Sequence, residues 1–246
     1  MIVNAIWIDG ELSPVTWLCM SSWIKHGHEV NLWVYDRWID FPAGVQLCDA
    51  NEIFRSPILR YTDKRNEGSP ALHANLFRYK FLAEEGGVFI DADTLCLSDD
   101  FPEGYFFSSE NADRQIPNFA CAYLPGGLGL MQWAFVQGMT RLDDRTAGRF
   151  GPKLLNEGMR GNQSVKILPD LSGVSHRVRV LPASDYCQLR WHQTAKFFDA
   201  DPPVMNGVYG QHLWARVLRK NERDLMAEYP ETSLWETWKR EYTTRV

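Results

Sequence analysis

"SPALHANLFRYKFLAEEGGVFIDADTL", residues 69–95, joins the clearest helix of the chain to a short apolar strand and ends on two carboxylates. Ser69 is placed to cap the helix, Pro70 suits its first turn and Gly86 is a stop signal. Leu72, Leu76, Tyr79 and Ala83 recur at helical spacing and define one buried face. Two glycines lead into Val88, Phe89 and Ile90, and then Asp91 and Asp93 follow with only Ala92 between them. In an extended backbone, residues two apart project to the same side, so both carboxylates can approach one cation. Hard oxygen donors of this kind suit Mg²⁺ or Mn²⁺, ions that keep positions open for phosphate oxygens.

The elements around this stretch give the fold class. Residues 3–8, "VNAIWI", read as a strand, residues 13–27 as a helix started by Ser13 and Pro14 and ended by Gly27, and residues 29–36 as a second strand. Trp17, Met20, Ser21 and Ile24 are the expected buried face of that helix. A β-α-β opening is the signature of a parallel sheet covered by helices. Further strands are expected at 88–91, 94–97, 105–110, 119–124, 165–168 and 177–181, and helices at 127–142 and 209–229. The expectation is an α/β fold in a single domain, with a nucleotide-binding part over about residues 1–100 and an acceptor-binding part over 101–246.

Composition narrows the function classes. The chain has 246 residues, 45% hydrophobic and 23% charged, with a net charge of −5. No basic patch of the kind that binds nucleic acid stands out. Five cysteines, odd in number and without a C-x-x-C pair, argue against a disulfide framework or a zinc site and fit a reducing cytoplasm. No apolar run is long enough to cross a membrane. The tail "WKREYTTRV", with Lys239, Arg240 and Arg245 beside aromatic residues, is compatible with peripheral contact at the inner face of a membrane. Ten tryptophans supply core, and also rings able to line a site for sugar-like ligands.

Two metal-carboxylate chemistries fit "VFIDADTL". One is a sugar-nucleotide transferase, in which a divalent ion neutralises a leaving diphosphate. The other is a phosphatase of the haloacid-dehalogenase type, with Asp91 as nucleophile and Asp93 as acid. That motif normally follows a first strand, whereas here some ninety residues precede it. A later paired-aspartate metal motif is also hard to find: Asp143-Asp144 falls within an expected helix, and Asp99-Asp100 follows too closely.

The longer stretch 74–97, "ANLFRYKFLAEEGGVFIDADTLCL", resembles the DXD-containing sugar-binding region of the capsular-polysaccharide and α-mannosyl/α-galactosyltransferase-like enzymes, the glycosyltransferase family 32-like group. Arg78, Tyr79, Leu82, Gly86, Gly87, Asp91 and Asp93 carry the likeness. "AIWIDG" (5–10), "FGPKLL" (150–155) and "YGQHLW" (209–214) add to it in family order. The resemblance implies a GT-A Rossmann-like fold, a Mn²⁺- or Mg²⁺-dependent transfer from a UDP- or GDP-sugar, retention of anomeric configuration, and a glycan or lipid-linked acceptor in surface polysaccharide synthesis.

Residue by residue, it implies that Trp7, with Ile8 beside it, flanks the nucleobase. Asn75 and Arg78 reach the donor sugar or its phosphate, Asp91 lies by the ribose and the metal, and Asp93 binds the metal. His212 completes the metal–diphosphate site, backed by Trp214. Glu110, Asn111, Asn118 and Asp185 sit on stretches expected on the acceptor side. The chain departs from the pattern at Ala74-Asn75, where Ser-Asp is usual, and at Phe89, where Tyr is usual. Arg78 within an apolar helix face needs a partner when buried, and the aspartates supply one on a purely structural reading. A sugar-binding module without activity is the remaining alternative.

Overall fold

Alternation along the strands sets two apolar layers, one on each face of a sheet. The computed structural model describes residues 1–110, 117–123, 129–161, 167–169, 175–177 and 179–243. In chain order the elements are β1 (Ile2–Trp7), α1 (Pro14–Lys25), β2 (Glu29–Val34), β3 (Val45–Asp49), α2 (Ala71–Glu84), β4 (Gly87–Ile90), β5 (Thr94–Cys96), β6 (Phe106–Ser109), β7 (Pro117–Tyr123), α3 (Leu130–Met139), α4 (Pro152–Gly161), β8 (Ile167–Pro169), β9 (Ser175–Arg177), β10 (Arg179–Val180), β11 (Gly210–His212), α5 (Ala215–Lys220) and α6 (Leu234–Tyr242).

Seven strands form one sheet in the order β10-β6-β7-β4-β1-β2-β3. The pairs β1/β2, β1/β4, β2/β3 and β6/β10 are parallel, while β7 runs antiparallel to both its neighbours. Val3, Ala5, Val88, Ile90 and Phe106 face a core shared with α1 and α6. Ile6, Phe89 and Phe107 face a second core under α2, α3 and α4. This period-2 division is what a sheet covered on both faces requires. The mixed, mostly parallel α/β, Rossmann-like architecture expected from the sequence is the one present.

Several local expectations hold. Ser13 Oγ accepts the Thr16 N–H at 3.1 Å, Pro14 opens α1, and Gly27 has φ +74° beyond its end. Leu72, Leu76, Tyr79 and Ala83 are all buried. Others are corrected. Met20 is buried as expected, but with Val15, Thr16, Leu18, Cys19, Ser22 and Trp23, whereas Trp17, Ser21 and Ile24 are only half-buried. The cause is tertiary: Ser22 Oγ accepts the Cys96 N–H at 2.9 Å, and Trp23 Nε1–H donates to Thr94 O at 2.8 Å, so β5 lies along that face. Pro70 occupies the N-cap position of α2 without a side-chain cap, and the Ser69 hydroxyl accepts the Ala71 N–H at 3.4 Å from one residue further out. Asp143 and Asp144 lie in the turn after α3, not in a helix.

The largest correction concerns residues 209–229, expected as one helix. Gly210–His212 is instead strand β11, antiparallel to β5 with His212 opposite Thr94, and α5 begins only at Ala215. Trp214 between them has φ +56° and ψ +45°, a left-handed turn that no continuous helix contains. The aromatic residues of the tail are also accounted for: Trp235, Trp238 and Tyr242 of α6 are buried in the core beside α1. No helix among the described residues is long and apolar enough to cross a membrane.

Under the α2 face sits His73, fully buried, with Nδ1 accepting the Leu59 N–H at 3.2 Å. Nε2–H therefore donates to Tyr35 Oη at 2.6 Å, and Tyr35 in turn donates to Phe54 O. Burial, aided by the Arg60 charge, lowers its pKa from an ordinary 6.5 to about 4. Between those values the unfolded chain binds a proton that the folded chain does not, so stability falls as pH falls through that window. The contribution is complete above pH 6.5 and amounts to about 3 kcal/mol, lost progressively down to pH 4. Urea unfolding at pH 7.5 and pH 5 should show the loss, and His73→Gln should flatten it. An unchanged pH slope in the variant would contradict the assignment.

Candidate metal centre

The D-A-D stretch is not extended. Thr94 N–H donates to Asp91 O at 2.9 Å, closing a turn between β4 and β5. The carboxylates converge through that turn, which corrects the expectation that strand alternation aligns them. β5 behind the turn is held by Ser22 and Trp23 of α1 and by its ladder with β11.

β11 brings His212 to the turn. Its backbone is fixed by Gln211, whose buried side-chain amide donates to Leu189 O at 2.8 Å and His212 O at 2.7 Å and accepts the Leu189 N–H at 3.0 Å. Gly210 is required by space: a Cβ there would stand 2.4 Å from Leu95 O. The left-handed Trp214 then reverses the chain so that the Ala215 N–H points back and donates to Asp93 Oδ2 at 2.9 Å.

The result is a division of oxygens. Asp91 Oδ1 is engaged by the buried Arg78 guanidinium in an ion pair, and Asp93 Oδ2 by Ala215. Asp93 Oδ1 lies 3.0 Å and Asp91 Oδ2 4.0 Å from His212 Nε2. One atom from each of the three residues thus lies within 4.8 Å of the other two. Adjacent donors around an octahedral ion at about 2.1 Å stand about 3.0 Å apart, so the set is close to the size of a small divalent cation. Two carboxylates with one imidazole form a donor set that could hold a divalent metal. The Arg78 and Ala215 contacts orient the carboxylates, as groups behind metal ligands commonly do. Burial works against ionisation of Asp93, but the His212 charge and hydrogen bond and the Ala215 amide outweigh it and hold the carboxyl below its ordinary value.

The other expected residues fall around this centre unevenly. β1 and β4 run parallel with Val3 opposite Val88 and Asn4 opposite Phe89, so Trp7, at the end of β1, and the D-A-D turn after β4 lie at the same edge of the sheet. Trp7 is half-buried, its indole N–H donating to Gly10 O, whereas Ile8 packs into the core under α2. Asn75, one turn of α2 before Arg78, donates to Tyr61 Oη at 3.1 Å. "FGPKLL" reaches the same place, since a Cβ on Gly151 would lie 3.4 Å from Asn75 Nδ2. Arg78 also lies over the Phe89 ring at 5.2 Å, and burial is the main cost to its charged form. The Trp214 ring is 4.2 Å from that of His212.

Glu110 follows β6, two strands from β4, at the same edge. Burial pushes its carboxyl up, and His212 is near enough to oppose the shift. The Asp185 carboxyl is also raised by burial, and Asp185 O accepts the Tyr209 N–H just before β11. Asn111 lies outside the described residues, as does the side chain of Asn118, whose backbone belongs to β7. All five cysteines are free thiols.

The sequence reading missed three features of the site. One is the Ala215 amide, hidden by the assumed helix. A second is Gln211, an ordinary polar residue until its partners are known. The third is the segment 60–68, a strap without regular structure that crosses this edge. Arg60 pairs with Asp9, at φ +75° beyond β1, and Arg216 of α5 donates to Arg65 O.

No family model matches the chain, and none of the curated proteins matches it in sequence. Among solved structures it is similar to the PaToxG glycosyltransferase, with a TM-score of 0.47 and 14% identity over 66% of this chain and 70% of that chain.

Proposed function

We propose that the protein is a divalent-metal-dependent glycosyltransferase acting in the cytoplasm, moving a hexose from a UDP- or GDP-sugar to a glycan or lipid-linked acceptor with retention. The observation that carries this reading is the three-atom set of Asp91, Asp93 and His212, with the opposite oxygen of each carboxylate already held by Arg78 and Ala215. Mn²⁺ held there supplies positive charge to a leaving diphosphate.

The chain's own residues do the rest. Trp7, at the same edge of the sheet as the D-A-D turn, flanks the nucleobase, and Asn75 addresses the sugar from α2. Arg78 fixes the tilt of Asp91. Glu110 and Asp185 lie on the acceptor side, in the later part of the chain. In the transfer, the bond from anomeric carbon to phosphate oxygen breaks with its electron pair left on the phosphate. The acceptor oxygen forms the new bond on the same face, and its proton passes to the departing phosphate. This assignment needs no carboxylate base in line with the donor. Surface polysaccharide synthesis is the setting that the sequence resemblance supports.

Hydrolysis of a panel of nucleotide sugars, with and without Mn²⁺, tests the reading. Release of a nucleoside diphosphate from one or a few donors, only with the ion, is expected. Hydrolysis of phosphomonoesters instead would point to a phosphatase, and no turnover of any donor would leave a binding module.

Arg78→Lys is a sharper probe. Lysine keeps the charge but cannot reproduce a planar fork fixed between Asp91 and the Phe89 ring. The fold should survive, while turnover falls by about one to three powers of ten. A variant that melts early but turns over normally per folded molecule would make Arg78 a structural partner only.

A further inference from the structure

We infer that Arg216 is the side chain that takes the phosphates of the bound nucleotide, exchanging a backbone carbonyl of the 60–68 strap for phosphate oxygens. The inference rests on the nucleotide-sugar reading above and deepens it.

The contacts around the centre close into a ring. Asp91 pairs with Arg78 of α2. One turn earlier in α2, Asn75 donates to Tyr61 of the strap. Four residues further along the strap, Arg65 O accepts from Arg216. Arg216 directly follows Ala215, whose N–H returns to Asp93. The ring therefore begins and ends on the D-A-D turn.

The cations on and beside the ring are not equivalent, and Arg65 enters it only through its backbone carbonyl. Arg78 is buried and committed to Asp91, and Arg60 is paired with Asp9 at 2.6 Å. Arg216 is exposed, and among the described residues no carboxylate pairs with it. A guanidinium offers five N–H donors in a planar fork, and a single neutral carbonyl leaves most of them to solvent. A phosphate accepts two at once and adds charge, which makes the exchange favourable.

Charge at the centre demands such a group. With Arg78 offsetting Asp91, a divalent ion against Asp93 leaves about one positive charge, less than a nucleoside diphosphate carries in negative charge. Arg216, one residue beyond the amide that holds Asp93, is the cation that would meet the remainder. Because the same guanidinium ties α5 to the strap, nucleotide binding also changes what holds the strap down.

The test is calorimetry of UDP, GDP, ADP, CDP and dTDP at saturating Mn²⁺ on wild type, Arg216→Gln and Arg216→Lys, with Mn²⁺ binding measured separately on each. The nucleotide that binds wild type should bind Arg216→Gln about ten- to a hundredfold more weakly, the scale of a lost hydrogen bond to a charged group. Mn²⁺ affinity without nucleotide should be unchanged, Arg216→Lys should recover part of the loss, and the salt dependence of nucleotide binding should be shallower in Arg216→Gln. Equal affinity of wild type and Arg216→Gln overturns the inference and makes Arg216 a strap anchor only. Binding of Mn²⁺ without binding of any nucleotide by wild type overturns the transferase reading itself.

Discussion

Asp93→Asn should fold, lose divalent-ion binding and lose transfer by about a thousandfold or more, a larger effect than removal of one oriented dipole. Asparagine keeps the size of aspartate, and its amide oxygen can still accept from Ala215, the contact now made at 2.9 Å. What disappears is the negative charge facing His212 and the Asp91 oxygen beside it. Asp93→Ala should behave alike in function but with a greater loss of stability, because the Ala215 amide then loses its acceptor. Mn²⁺ titration followed by electron paramagnetic resonance, with thermal melts in parallel, separates the two effects. A variant with near-wild-type turnover at saturating Mn²⁺ would show that the carboxylate is not a ligand.

Gly210→Ala should be nearly as damaging, although it touches no candidate ligand. The added Cβ would stand 2.4 Å from Leu95 O and 3.0 Å from the Tyr186 ring. The first of these is backbone in the facing strand, which cannot step aside as a flexible side chain would. β11 must shift away from β5, and His212, two residues on, moves with it. The expected cost is about 3 kcal/mol, the upper range for overpacking a filled core, together with weakened Mn²⁺ binding. Gly207→Ala is the comparison: a Cβ there meets nothing within 4 Å, so only its φ of +62° is strained. Urea unfolding of both variants checks the difference. A loss at 210 no larger than that at 207 would mean that the approach to Leu95 is relieved at little cost and does not explain glycine at 210.

The helix from Ala71 to Glu84, the strand after it and the paired aspartates were legible because their signals are local. Cap, stop and apolar spacing lie within one stretch, and no distant contact competes with them. β11 was not legible for the opposite reason. "YGQHLWARVL" has helical composition, and it becomes a strand only because Leu95 and Thr94 offer a ladder, while Trp214 takes a left-handed turn that no rule assigns to tryptophan. His212 was therefore named from the family resemblance while its element was misread, and Arg216 stayed hidden in the supposed helix. The buried face of α1 was misplaced because Ser22, a polar residue, is there to receive the Cys96 amide. β3 was missed because five residues with one clear apolar pair become a strand only beside β2.

The central claim is that Asp91, Asp93 and His212 hold a divalent ion that joins the protein to a nucleoside diphosphate. The direct measurement is calorimetry of UDP and GDP against the metal-free protein in chelator and then in Mn²⁺. Without the ion, the two carboxylates face the phosphates and repel them, so binding should be weaker by about a hundredfold or more for whichever nucleotide is recognised. Equal affinity in chelator and in Mn²⁺ would contradict the claim.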